Sequence, residues 1–163
     1  MLGVTSRYYL LKAESLIHFG SSDSEIEKYF LLSIESSNEK NKIIDIYRQI
    51  LNLYKDQNDV DKIFKYLSIL LTEFPSNEVD SQLEKDWLYY GGIIGNHRQK
   101  LDYVEKKLNK TLNLKEKLFY LIEMSKTYSD MGELYKSENM LKALLKDYEQ
   151  YIKIISIKDI HEL

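Results

Sequence analysis

Along the chain, segments with an apolar residue at every third or fourth position alternate with short polar breaks. This spacing is typical of amphipathic helices that turn one stripe toward a core. It predicts eight helices, at about 7–19, 24–36, 40–56, 60–73, 80–94, 98–109, 114–130 and 134–148. The breaks within each pair span three or four residues, and connections that short make successive helices antiparallel. The pattern therefore predicts an all-α fold of four helical hairpins.

The hairpins recur with a constant step of 37 residues. One set of equivalent positions contains Phe30, Leu67, Val104 and Leu141, and another contains Ala13, Ile50, Trp87 and Met124. A third set falls in the turns and contains Ser21, Asn58, Gly95 and Gly132. Because Asn and Gly tolerate the left-handed backbone that commonly ends a helix, we expect that conformation at the turn positions.

A fixed step of this length is typical of a solenoid, in which each unit packs on its neighbours. The sequence therefore predicts an α-solenoid that forms one domain over residues 1–163. Its repeats would cover about 7–43, 44–80, 81–117 and 118–150, and residues 151–163 would form a C-terminal cap or docking segment.

The clearest copy runs from residue 44 to Pro75 and reads IDIYRQILNLYKDQNDVDKIFKYLSILLTEFP. Tyr47 and Tyr54 take its aromatic places, Ile50 begins its packing pair, and Pro75 closes it. With this pattern, over roughly residues 7–150, the chain resembles the tetratricopeptide repeat family. The resemblance implies a right-handed superhelix whose concave groove binds a peptide or another protein.

In that family the groove is lined by the second, fifth, sixth and ninth places of the first helix of each repeat. Transferred to this chain, the resemblance implies the following groove residues: Lys12, Arg48, Gln49, Asn52, Lys85, Asp86, Tyr89, Phe119, Ile122 and Lys126. Tyr8 and Leu11 take groove places in the first copy. Arg48 and Asn52 resemble half of the family's carboxylate clamp, but Asp86 replaces the expected asparagine of the other half. We therefore expect an amphipathic segment with apolar anchors as the ligand.

Composition narrows the possible chemistry. The 163 residues contain no cysteine, which excludes disulfides, thiolate metal sites and cysteine nucleophiles. The net charge of −3 offers no surplus of cations for a phosphate backbone, so we expect no nucleic-acid partner.

No arrangement of residues indicates catalysis. His18, His97 and His161 stand far apart, without the four-residue spacing of a helical metal site. The glycines of residues 91–95 follow no strand and precede no Lys-Ser or Lys-Thr pair, so they do not match a phosphate loop. We expect no catalytic residue, metal or cofactor, and hence no enzyme.

Charged residues interrupt the apolar positions near the N-terminus, which does not match a secretory signal, and no apolar stretch is long enough to cross a bilayer. These features predict a cytoplasmic protein without membrane contact. The C-terminal segment YIKIISIKDIHEL is unusually apolar for the end of a solenoid. It either folds over the last hairpin or forms a docking edge through which the chain becomes a homodimer.

The leading functional hypothesis is a scaffold that binds a protein or peptide without catalysis. Two alternatives stay open: a peptide-sensing or regulatory domain, and an inhibitor or assembly factor that acts through a subunit interface. A helical-repeat RNA binder is disfavoured because Asp45, Asp86 and Glu123 interrupt the cations of the groove.

Overall fold

A computed structural model describes the backbone of residues 2–74 and 81–161, and the side chains of residues 4–74, 81–146 and 148–149. These residues form helices and turns without any strand. The helices are α1 Leu2–His18, α2 Asp23–Glu35, α3 Lys40–Gln57, α4 Val60–Glu73, α5 Ser81–Ile93, α6 His97–Leu108, α7 Leu114–Asp130 and α8 Leu134–His161. The prediction of an all-α chain with eight helices is confirmed over this range. Pro75, expected to close the second repeat, lies outside the described residues.

The predicted helix bounds differ from the observed ones mainly at the two ends of the chain. α1 begins five residues before the predicted start of 7, and its Ser6 is buried against α2, where its hydroxyl donates to the backbone oxygen of Ser33 at 2.8 Å. α8 continues without a break to His161, so no separate element begins at residue 151. The side chains that would decide what residues 151–163 cover lie outside the described part of the chain.

The turns within the four hairpins repeat one backbone geometry. Asn58, Gly95 and Gly132 have left-handed φ values of 56°, 74° and 76°, as predicted, and lie 37 residues apart. In the first hairpin the prediction of Ser21 was wrong, because Gly20 takes this conformation with φ 67°. A glycine has no Cβ to clash there, whereas serine would be strained.

The same two hydrogen bonds close each of these turns. In the third, the amide of Gly95 donates to the Gly92 carbonyl at 3.1 Å and the amide of Asn96 donates to the Gly91 carbonyl at 2.8 Å. This pair of bonds is the Schellman motif, which satisfies carbonyls left free at a helix end. The repeat in the sequence therefore corresponds to a repeated backbone geometry in these turns.

The chain divides into two compact units, residues 1–90 and 91–163, here called unit 1 and unit 2. In unit 1, α2 packs against α1 and α3, and α3 packs against α4. Its core contains large buried side chains such as Phe30, Ile50, Ile63 and Leu67, each 0% exposed. The Trp87 ring of α5 stacks on Phe64 of α4 at 5.5 Å between centroids. Trp87 thus belongs to the core, as its place in the repeat predicts.

In unit 2, α7 packs against α6 and α8. The buried apolar side chains described here are Val104, Tyr120, Leu121 and Met124. Polar groups are buried among them, including Ser125 of α7 and Ser137 of α8, whose hydroxyls lie 2.9 Å apart. Small hydroxyl side chains at this crossing let the two helices approach closely while each satisfies the other's hydrogen bond.

Candidate binding surface

In unit 1, the groove residues implied by the resemblance lie on α1, α3 and α5 and are mostly exposed. Lys12, Arg48, Asn52 and Lys85 are exposed and Gln49 is half-buried. Tyr89 is 64% exposed, and on α1 Tyr8 and Leu11 are 61% and 55% exposed. Exposed apolar side chains mark a contact surface where they form a contiguous patch, so these three positions are candidates for one.

The same three helices bury the positions that the repeat assigns to packing. Ala13 and Ile50 are 0% exposed and Trp87 is 2% exposed. On α5, Trp87 and Tyr89 stand two residues apart, which separates them by about 200° around a helix. α5 therefore places one aromatic residue in the core and another in solvent. The position in the repeat, and not the hydrophobicity of the residue, predicts which of the two is buried.

Asp86 is engaged inside unit 1. Its carboxylate accepts hydrogen bonds from the Lys55 ammonium of α3 at 2.5 Å and from the Gln82 amide of α5 at 2.6 Å. Arg48, by contrast, has its guanidinium 3.9 Å from the Asp45 carboxylate, with both side chains about half exposed or more. An exposed pair at that distance is weak, so Arg48 can turn to a ligand at little cost while Asp86 joins α3 to α5.

Unit 2 carries the remaining three positions on α7. Ile122 is 38% exposed, and Phe119 is half-buried with its ring edge-on to Tyr120 at 5.4 Å. The exposed Lys126 lies 2.9 Å from the Glu123 carboxylate. These residues form a smaller surface than that of unit 1, and Ile122 is its one clearly exposed apolar side chain.

A buried carboxylate cluster links α2, α3 and α4, and sequence reasoning missed it. Glu27 is 7% exposed and accepts hydrogen bonds from Tyr54 at 2.6 Å, from Lys62 at 2.6 Å and from Tyr66. Burial by itself raises the pKa of Glu27, but these three donors outweigh it and lower the pKa to about 2. A glutamate on a helix ordinarily indicates solvent exposure. The available signal was its position 37 residues before Phe64, an apolar core residue.

The Glu27 cluster is better suited to a structural role than to proton transfer. A carboxylate with a pKa near 2 stays ionised at neutral pH and is a poor base, because a general base works best with a pKa near the working pH. Burial and the hydrogen bonds to Glu27 raise the pKa of both tyrosines, so their hydroxyls stay protonated and keep donating. Glu27 therefore ties the first two hairpins together.

A second buried charge, Lys100 of α6, occupies an apolar place in the repeat. Ile26 and Ile63 stand 74 and 37 residues before it, at 2% and 0% exposure, while Lys100 is 4% exposed. Burial lowers the pKa of Lys100, and the Glu123 carboxylate 3.9 Å away compensates only in part. Gly92 makes room for the ammonium, since a Cβ there would meet Lys100 Nζ at 3.2 Å.

Within the described ranges, His, Asp and Glu form no group of three that could hold a metal ion. His18 ends α1, His97 begins α6, and His161 ends α8. The glycines of residues 91–95 form the end of α5 and the turn that follows it. None of the helices described is both long and apolar enough to cross a membrane.

Comparison of the chain with protein-family models, with curated proteins and with solved structures finds no match.

Proposed function

We propose that the protein is a non-enzymatic binding module, a tetratricopeptide-like solenoid that holds a protein or peptide segment on the groove face of its first helices. The observation that carries the proposal is the division of α5 into two faces, with Trp87 2% exposed and Tyr89 64% exposed. On α1, Tyr8 and Leu11 are exposed as well. The recurrence of one turn geometry every 37 residues supports the repeat on which the groove assignment rests.

The proposed ligand is an amphipathic segment of a cytoplasmic protein. Tyrosine side chains bury large apolar areas and are common anchors at interfaces, while Arg48 and Lys85 offer cations for acidic side chains of the ligand. Nucleic acid fits this surface poorly, since the net charge is −3 and Asp45 and Asp86 lie among the cations. The proposed activity needs neither metal nor cofactor.

Peptide selection tests this proposal and does not require an identified partner. Peptides would be selected from a phage-displayed library on the intact protein and measured by fluorescence anisotropy. We expect apolar-rich binders whose dissociation constant rises about tenfold or more for Arg48→Glu combined with Tyr89→Ala, since loss of one anchor side chain typically costs that much.

The matched control is Leu112→Glu, which changes a fully exposed apolar residue in the loop between α6 and α7. It is expected to bind as the unchanged protein does, and circular dichroism melting verifies that all three proteins fold. Failure to select any binder, or equal affinity for all three proteins, contradicts the proposal.

A further inference from the structure

One face of α8 carries exposed apolar side chains around the exposed Glu138, and it belongs to unit 2. We define the α8 stripe as Leu134, Leu141, Leu145 and Tyr148, which are 67%, 45%, 57% and 48% exposed. Their spacing of seven, four and three residues keeps them on one side of the helix over about 21 Å. α8 packs on α7 through the neighbouring side that contains Ser137, so the stripe lies beside the contact with α7 and not within it.

The repeat explains why this face can accept another helix. Phe30, Leu67 and Val104 occupy the place of Leu141 in the earlier copies, and each is 0% exposed. Helices α2 and α6, which carry two of these residues, pack against the helices that follow them, α3 and α7. Leu141 has the same apolar character with no such covering helix among the described residues. Because α8 stays helical to His161, the described backbone does not turn back over its own stripe.

The first helix of a second copy is a poor occupant for this face. Leu51 and Leu88 lie 37 residues apart and are 3% and 1% exposed, and the equivalent place in α1 is Glu14. Docking α1 of one copy on the α8 stripe of another would bury that carboxylate against leucine, which is costly without a partner charge. Head-to-tail assembly is therefore disfavoured.

A second α8 in the opposite direction brings Leu141, Leu145 and Tyr148 of the two copies together and pairs two flanking charges. With a two-fold axis at Leu145, this side chain meets its own copy and Leu141 meets Tyr148 of the other helix. Lys142 and Glu149 are exposed on one flank of the stripe. In this pairing, Lys142 of each helix lies opposite Glu149 of the other helix, which gives two pairs of opposite charge. In a parallel pair, each residue would lie opposite the same residue of the other helix, and Lys142 would no longer face Glu149. Lys142 now pairs with Glu138 at 2.6 Å, but both side chains are more than half exposed, so exchange costs little.

We propose that the α8 stripe is a homodimer interface, in which two copies of the chain pair through antiparallel α8 helices. This surface is separate from the groove face of unit 1, and the inference does not depend on the proposed function. A single helix face is small for an interface, so the dimer is expected to form and dissociate with concentration.

Because the chain contains no cysteine, single cysteines can report the pairing directly. Leu145→Cys on the axis should form an intermolecular disulfide under mild oxidation, doubling the 19.4 kDa mass on a non-reducing gel. Ala143→Cys is the matched control, since Ala143 is exposed on the same helix but points about 160° away from Leu145. Equal crosslinking of both cysteines, or none at Leu145→Cys, overturns the proposal.

Sedimentation equilibrium of the cysteine-free protein tests the interface and its direction. The mass should approach twice 19.4 kDa at high concentration, and Leu141→Lys combined with Leu145→Lys should give a monomer with unchanged helical signal. Glu149→Lys should raise the dimer dissociation constant about tenfold through repulsion by Lys142, and adding Lys142→Glu should restore it. A protein that stays monomeric, a mass that grows without limit, or a charge exchange without rescue contradicts antiparallel pairing.

Discussion

Glu27 and Lys100 are both charged residues in buried places, and their surroundings affect the charge in opposite ways. Glu27 accepts hydrogen bonds from three donors, and its charged form is favoured strongly enough to lower the pKa to about 2. Lys100 has its nearest carboxylate at 3.9 Å, and burial lowers its pKa. The first charge therefore stabilises the fold, while the second opposes it.

The Glu27 cluster predicts a loss of stability in acid. Because the folded pKa of about 2 lies below the ordinary value of 4.5, the contribution is complete above pH 4.5 and disappears as the pH falls toward 2. Its size is about 3 kcal/mol at neutral pH, from the shift in pKa. Glu27→Gln should lower the free energy of unfolding by about 2–4 kcal/mol at pH 7, and its stability should vary less between pH 4.5 and 2.

Urea unfolding at a series of pH values measures both effects. Glu138→Gln is the control, because Glu138 occupies the same place in the last copy with a side chain 59% exposed. Its profile should follow that of the unchanged protein. If Glu27→Gln also shows the unchanged profile, the cluster has no role in stability.

For Lys100 we expect the opposite sign. Lys100→Met keeps the length of the side chain and removes a buried charge, so the free energy of unfolding should rise by about 1–2 kcal/mol. The Glu123 carboxylate keeps a partner after this substitution, since the Lys126 ammonium lies 2.9 Å from it. The control is Lys106→Met, an exposed position on the same helix, where we expect a change under about 0.5 kcal/mol. A clear loss of stability on Lys100→Met would mean that the pair with Glu123 is worth more than its desolvation costs.

At the scale of the elements, four hairpins end their first helix with one left-handed residue, and this geometry predicts unequal effects of two substitutions. Gly132→Ala places a Cβ at φ 76°, with nothing within 4 Å to clash, so its cost of about 1 kcal/mol comes from the backbone alone. Asn58→Gly at the equivalent turn should leave thermal stability unchanged or slightly higher. If both substitutions lower the melting temperature equally, side-chain contacts and not backbone conformation determine these turns.

The sequence predicted the elements well because helices and turns depend on local spacing. Six of the eight helices begin and end within one residue of the predicted bounds, and Asn58, Gly95 and Gly132 adopt the expected backbone. The step of 37 residues pointed to Ser21, whereas the residue type favours Gly20, because glycine takes a left-handed φ without strain. The predicted end of α8 at 148 was too early, because residues 149–161 contain neither Gly nor Pro that would stop the helix there.

At the scale of the whole molecule, the sequence identified several positions that face solvent but not which side chains bind one another, and Gln49 and Phe119 are half-buried. Tyr89, Arg48 and Ile122 are exposed, as a contact surface requires. Asp86, also assigned to that surface, instead pairs with Lys55, a contact between residues 31 positions apart that no local pattern contains. Glu27 was missed for the same reason, since its partners lie on α3 and α4.

We propose that the exposed face of α5 contacts a protein in the cell, and photocrosslinking at Tyr89 can detect that contact in place. Tyr89 would be replaced by the photoreactive amino acid benzoylphenylalanine, with the same replacement at Leu112 as the control, and living cells would be irradiated. We expect a discrete crosslinked product of higher mass from position 89 and none from position 112. No product from position 89, or the same products from both positions, would contradict it.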